Sequence, residues 1–164
     1  MKQYTNAEIA DLVGCAKRVV EPPRRENRAD RGFLRNDFTL ESTDSKRKFH
    51  VFIRINEKFP ENFSIGLEYI PSDEPGSVVL LRYNGPHGEH ILYPHHVCYH
   101  VHKATAAAIG AGLKPERQAE ITKEYASYQE ALACFLRQIN MDAPDQYFPG
   151  VLQGLLNLSE EGRQ

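Results

Sequence analysis

Six of the chain's seven histidines fall between Arg82 and Lys103, in the stretch "RYNGPHGEHILYPHHVCYHVHK". Imidazole has an ordinary pKa of about 6.5, so both of its protonation states exist near neutrality. Such a concentration therefore suits either proton transfer or metal ligation. For metal, His100 and His102 sit two apart. On an extended segment they present adjacent rings to one side, and His87, His90 or His96 from the preceding loop could complete a three-imidazole zinc site. Glu89 is the only acid in the window, which disfavours a two-metal nuclease of the carboxylate type.

The same residues also suit acid and base chemistry on a phosphodiester. Cleaving RNA through its own 2'-hydroxyl needs a proton acceptor, a proton donor and fixed groups for the charge on phosphorus. His100 and His102 fit the first two tasks. Arg82 and Arg54 fit the third, with Asn84 and His87 positioning the phosphate and His50 and His90 on the substrate side. This reaction requires no cofactor. The segment "RRENRADRGFLR" adds Arg24, Arg25 and Arg28, with Arg31 and Arg35 at intervals of three or four. It reads as a helical stripe or a mobile arm able to meet a polyanion such as RNA.

Plainer uses compete at each position. Arg82 and Arg54 can pair with Glu68 across neighbouring strands. His95 and His96 after Pro94 read as ordinary loop residues, and His50 as a half-buried structural one. Cys98 reads as packing rather than as a nucleophile or ligand. No GxSxG, Walker loop, Rossmann glycine pattern or HExxH is present.

The elements that must position these residues follow from periodicity. "TNAEIADLVGCAKRVVEPP" reads as a first helix, opened by a Thr5/Glu8 capping box, with Ile9, Leu12, Val13, Ala16 and Val20 on one face and Pro22–Pro23 as its stop. From Asp37 the period becomes two. The runs "DFTLEST", "KFHVFIRIN", "NFSIGLEYI" and "SVVLLRYN" then predict an antiparallel meander with short connections. Phe49, Val51, Ile53 and Ile55 share a core face with Phe63, Ile65, Leu67 and Tyr69 and with Val79, Leu81 and Tyr83. His50, Arg54, Glu68, Arg82 and Asn84 fall on the other side. As a further strand, "HVCYHVHK" puts Val97, Tyr99 and Val101 in the core and His96, Cys98, His100 and His102 opposite. As the start of a helix it would separate His100 and His102 by about 200°. The strand is the better fit, since Val, Tyr and Cys suit a pleated surface.

A long helix over 115–139 is expected next, with Ile121, Tyr125, Tyr128, Leu132, Phe135 and Ile139 as its apolar stripe. That stripe covers the sheet or forms a homodimer seam. "PDQYFPGVLQGLLNL" suggests a last short helix. The expected fold class is α+β: one domain over 1–158, with an antiparallel sheet of four or five strands, an N-terminal helix and the long C-terminal helix on one face. Residues 159–164 form a frayed tail.

"LLRYNGPHGEH" followed by "PHHVCYHVHKAT" resembles the His-rich "RY-(D/N)-x-x-H … H-x-H" segment of small bacterial TumE-like toxins and related bacterial and phage proteins. The likeness covers about residues 65 to 140, and the N-terminal helix and basic segment have no counterpart in it. It implies a compact sheet with flanking helices, growth inhibition exerted on RNA or translation, and neutralisation by a partner protein. Arg82, Asn84, His87, His100 and His102 are the positions that correspond.

Composition sets the outer bounds. A chain of 164 residues buries roughly two thirds of its unfolded surface without help from disulfides. Its three cysteines, Cys15, Cys98 and Cys134, form no CxxC pair, which favours a reducing, cytoplasmic setting. The opening residues lack the apolar core of a secretory signal, and no run approaches the ~18 apolar residues of a membrane span. The formal charge of −2 hides an asymmetry, since residues 17–48 carry ten Lys or Arg against six Asp or Glu. The function best suited to these features is a metal-independent, toxin-like ribonuclease. The alternatives are a non-catalytic regulator that binds nucleic acid or protein, and a zinc-binding protein.

Overall fold

The computed structural model describes residues 2–89, 91–114 and 118–153. The elements run α1 (Asn6–Gly14), β1 (Lys17–Glu21), β2 (Arg28–Asp30), β3 (Phe33–Ser42), β4 (Lys48–Asn56), β5 (Phe63–Ile70), β6 (Val78–Asn84), β7 (His100–Lys103), α2 (Ala106–Gly110), β8 (Ala119–Ile121), α3 (Tyr128–Gln138) and α4 (Pro144–Tyr147). Eight strands form one sheet in the order β1-β3-β4-β5-β6-β7-β8, and β2 also pairs with β3. All of these ladders are antiparallel. The fold is α+β as expected, but the sheet is larger than four or five strands and the helices are short.

The four-run meander is present as β3 to β6. Phe38, Leu40, Phe49, Val51, Ile53, Phe63, Ile65 and Leu67 are buried on one face of it. That face is covered by Ile9, Leu12 and Val13 of α1 and by Ala131, Leu132, Phe135 and Leu136 of α3. One register detail differs from strict alternation. A bulge between Leu67 and Glu68 leaves Leu80 as the extra residue of β6, so Val78 pairs with Tyr69 and Val79 with Glu68. The one-residue shift moves Val79 off the core face and Val78 onto it.

Three expected elements need correction. The first helix opens with the Thr5/Glu8 capping box but ends at Gly14. Ala16 and Val20 leave it, and Val19 and Val20 join β1, where β-branched side chains fit better. The arginine segment is neither a helix nor a mobile arm. Asp30 and Phe33 pair across a two-residue loop in which Arg31 and Gly32 both have positive φ (50° and 84°), the geometry of a type I′ hairpin.

The helix expected over 115–139 is replaced by β8 and the eleven-residue α3. Ser127 accepts from Glu130 N and the Glu130 carboxylate takes the Ala126 N–H, a cap that fixes the start of α3. Its apolar residues Ala131, Leu132, Phe135 and Leu136 are buried in the core against its own sheet. Pro115 and residues 159–164 lie outside the described residues. Among the described residues no helix is long and apolar enough to cross a membrane.

Candidate functional site

Strand register places the polar side chains in rows on the face opposite the core. One row reads Arg28, Arg35, Arg54, Ser64, Asn84 and His100 from β2 to β7. The row beside it reads Asp37, Phe52, Gly66, Arg82 and His102. Arg82 and Asn84 therefore stand directly beside His102 and His100. The Phe52 ring lies over Gly66, where a Cβ would come within 2.1 Å of it. In its row Phe52 stands between Asp37 and Arg82.

At the imidazole end the face is roofed by the loop between β6 and β7. Backbone bonds from Gly85 N to Phe63 O (3.1 Å), His87 N to His96 O (2.8 Å) and Cys98 N to His95 O (3.0 Å) fold this loop back onto the sheet. A 3-10 turn over Pro94–Val97 carries His95 and His96. His95 meets His100 and His102 at ring separations of 4.9 and 5.7 Å, and His87 meets His96 and His100 at 4.1 and 5.2 Å. Five imidazoles thus share one cluster, with Tyr93 stacked on His96 at 5.1 Å. Under this roof His100 is 0% exposed and His102 1%.

The remaining expected site residues are spread more widely. His50 lies in a bridge, with Nδ1 2.9 Å from Glu68 and Nε2 3.2 Å from Asp37. Arg54 pairs with Asp37 at 3.1 Å, not with Glu68. Arg24, Arg25 and Arg28 sit at the far edge, around β2. His90 lies outside the described residues.

Burial sets the electrostatics of the cluster. It pushes His100 down to about 4, assisted by the neighbouring imidazoles of His102, His87 and His95. His87 is lowered by burial and then by Arg82, and His95 by burial. These three rings are neutral at pH 7 and keep a lone pair. His100 Nδ1 lies 2.7 Å from the Cys98 carbonyl, which only accepts, so Nδ1 carries the hydrogen and Nε2 the lone pair. That Nε2 is 3.4 Å from His87 Nε2.

One nitrogen of each of His95, His100 and His102 can form a set whose members all lie within 4.8 Å of one another. A tetrahedral zinc with Zn–N bonds of about 2.0–2.1 Å sets such nitrogens about 3.3 Å apart, so the set fits a metal after a small contraction. His95 Nε2 is buried with no hydrogen-bond partner among the described residues, and so is Asn84 Oδ1 beside His100. Buried polar atoms almost always have partners. The sequence did not single out His95. Its signal was Pro94, which starts the turn that aims the next side chain inward.

No protein-family model matches the chain, and neither the curated proteins nor the solved structures give a significant match.

Proposed function

We propose that the protein binds a divalent transition-metal ion of the zinc class through His95, His100 and His102, and that the ion clamps the 85–98 loop onto β7. The observation that carries this reading is the buried, unpartnered His95 Nε2 beside two imidazoles whose ligand nitrogens lie within 4.8 Å. Three imidazole nitrogens make a donor set for a borderline-soft cation rather than for magnesium or calcium, which take oxygen ligands. The His100–Cys98 bond is the outer contact that fixes a ligating histidine's tautomer and orientation. Without metal, the His100 Nε2 that the ion would take lies 3.4 Å from His87 Nε2.

The expected ribonuclease remains the second reading. It is favoured by the register that sets Arg82 and Asn84 beside His102 and His100. Full burial of both histidines weighs against it, because a phosphodiester reaches them only if the 85–98 loop lifts. On that reading the likeness to TumE-like toxins extends to RNA as substrate and to a neutralising protein partner.

Metal analysis of the purified protein, with thermal unfolding in zinc and in excess chelator, separates the two. The metal reading expects about one zinc per chain and a melting temperature that falls on chelation. Sub-stoichiometric metal together with indifference to zinc and chelator would overturn it. RNA cleavage persisting in chelator and lost in His100→Ala would favour the second reading.

A further inference from the structure

Away from the imidazoles, the β2–β3–β4 edge brings together like charges that a sheet ordinarily keeps apart. Arg28 stands directly opposite Arg35, and Arg35 directly opposite Arg54. Side chains so placed have Cβ atoms about 4.5–5.5 Å apart, and like charges in that position destabilise a sheet. Arg24 is brought to the same place by the buried Asn36. Its Oδ1 accepts the Arg24 N–H at 3.0 Å, and its Nδ2 donates to the Arg24 carbonyl at 3.0 Å and to Asn27 Oδ1 at 3.1 Å. The arginine-bearing strap is therefore pinned to the sheet by a side chain acting as a backbone partner.

The acids at this edge are fewer than the cations. Asp30 lies 3.1 Å from Arg35 and Asp37 3.1 Å from Arg54, while the Arg24 and Arg28 side chains have no carboxylate partner among the described residues. A hollow of about 320 Å³ opens here, lined by Arg24, Arg28, Asp30, Arg35, Asn36 and Asp37. Asp30 and Asp37 each hold one guanidinium in place, and Arg24 and Arg28 bring two uncompensated charges to the same opening.

We infer that this hollow is a phosphate-binding site, in which Arg24 and Arg28 bind the phosphate oxygens and Arg35, held by Asp30, backs them. The guanidinium is the side chain that matches phosphate with paired, charge-assisted hydrogen bonds. The phosphate belongs either to a small free phosphate or to the backbone of single-stranded RNA, since both present the same oxygens. The inference is independent of the metal proposal, because none of these residues belongs to the imidazole cluster.

The test is titration of the full chain, in excess chelator and at low salt, with inorganic phosphate and separately with a fluorescently labelled RNA oligonucleotide. The double variant Arg24→Gln/Arg28→Gln removes exposed side chains, and its fold is checked by thermal unfolding. A control, Lys46→Gln/Lys58→Gln, removes two exposed cations elsewhere. Saturable binding of either probe, weakened at least fivefold by the arginine pair and under twofold by the control, is expected. Phosphate binding alone identifies a small-anion site. RNA binding whose salt dependence flattens in the arginine variant identifies a backbone site. Absence of binding to both probes, or equal weakening by the control, would overturn the inference.

Discussion

His100 donates its Nδ1–H to the Cys98 carbonyl at 2.7 Å, and through that bond a residue at the start of β7 is tied to the end of the roof above it. The contact fixes the ring so that Nε2 faces His87 and the other imidazoles. It also means that His100 holds structure whether or not an ion is present. In excess chelator, His100→Ala should lower stability by about 2–4 kcal/mol, from the void and the carbonyl left without its donor. Urea denaturation measures this. A loss under about 0.5 kcal/mol would show that the roof does not depend on the ring.

Acid should loosen the same region. The folded His100 titrates near 4 instead of the ordinary 6.5, so on acidification the unfolded chain takes up its proton first. The stability tied to the neutral ring is complete above about pH 6.5 and is lost as the pH falls toward 4. A shift of this size amounts to about 3 kcal/mol over the window. His87 and His95 shift in the same direction. Unfolding free energies of chelated wild type and His100→Ala, compared between about pH 7 and 4.5, should converge toward acid. Parallel curves would contradict the assigned environment.

What the sequence disclosed, and what it did not, follows from the range of the interactions. The capping box at Thr5 and the alternation of Phe49, Val51, Ile53 and Ile55 are local, and both appear in the structure where periodicity placed them. The pairing of Arg82 with His102 follows from the same alternation over His100–Lys103, but the strand expected over "HVCYHVHK" is only half present, since Pro94–Val97 forms a 3-10 turn and Val97 is exposed rather than in the core. The stripe from Ile121 to Ile139 misled because Tyr125, at a helical spacing, is buried by stacking on Tyr83 at 5.2 Å rather than by lying on a helix. A better guide was the Ser127–Glu130 spacing, a helix start in plain view. The Arg31–Gly32 turn was hidden by the regular spacing of arginines around it. Pro94 marked a turn at His95, but which side chains that turn meets depends on how a loop of more than a dozen residues folds back.

Tyr125 connects the core to the site. Its hydroxyl lies 2.8 Å from the His100 carbonyl and 3.1 Å from the Asn84 carbonyl, so it braces the two strands whose side chains reach the imidazole cluster. Tyr125→Phe removes that donor without altering the stack on Tyr83. It should cost about 1–3 kcal/mol and weaken zinc affinity several-fold by loosening β7. Calorimetric zinc titration beside urea denaturation checks both effects. Lost stability with unchanged affinity would mean that the brace serves only the core.

Lys17 is 0% exposed, and its ammonium donates to the carbonyls of Val13 (2.7 Å), Cys15 (2.8 Å) and Ile139 (2.9 Å). It thereby satisfies carbonyls at the C-terminal ends of α1 and α3, where the helix dipoles favour a cation. Phe49 lies beneath it, with Nζ 4.7 Å from the ring centroid. Burial nevertheless lowers its pKa to about 8, so the folded state gives up the proton before the unfolded state, which holds it to about 10.5. The stability associated with the neutral amine is therefore absent below about pH 8 and complete above 10.5, a gain of about 3 kcal/mol across that window. Lys17→Met fills the space but leaves three carbonyls without their donor. It should cost about 2 kcal/mol near neutrality, and its deficit should widen as the pH rises, because only the wild type gains. Tyr83 and Tyr125, both held above the ordinary tyrosine value by burial, remove stability above about pH 10 in both proteins alike and cancel in the difference. Urea denaturation of the pair at about pH 7.5, 9 and 10 provides that difference, and a constant gap would show that the buried ammonium titrates as it does in the unfolded chain.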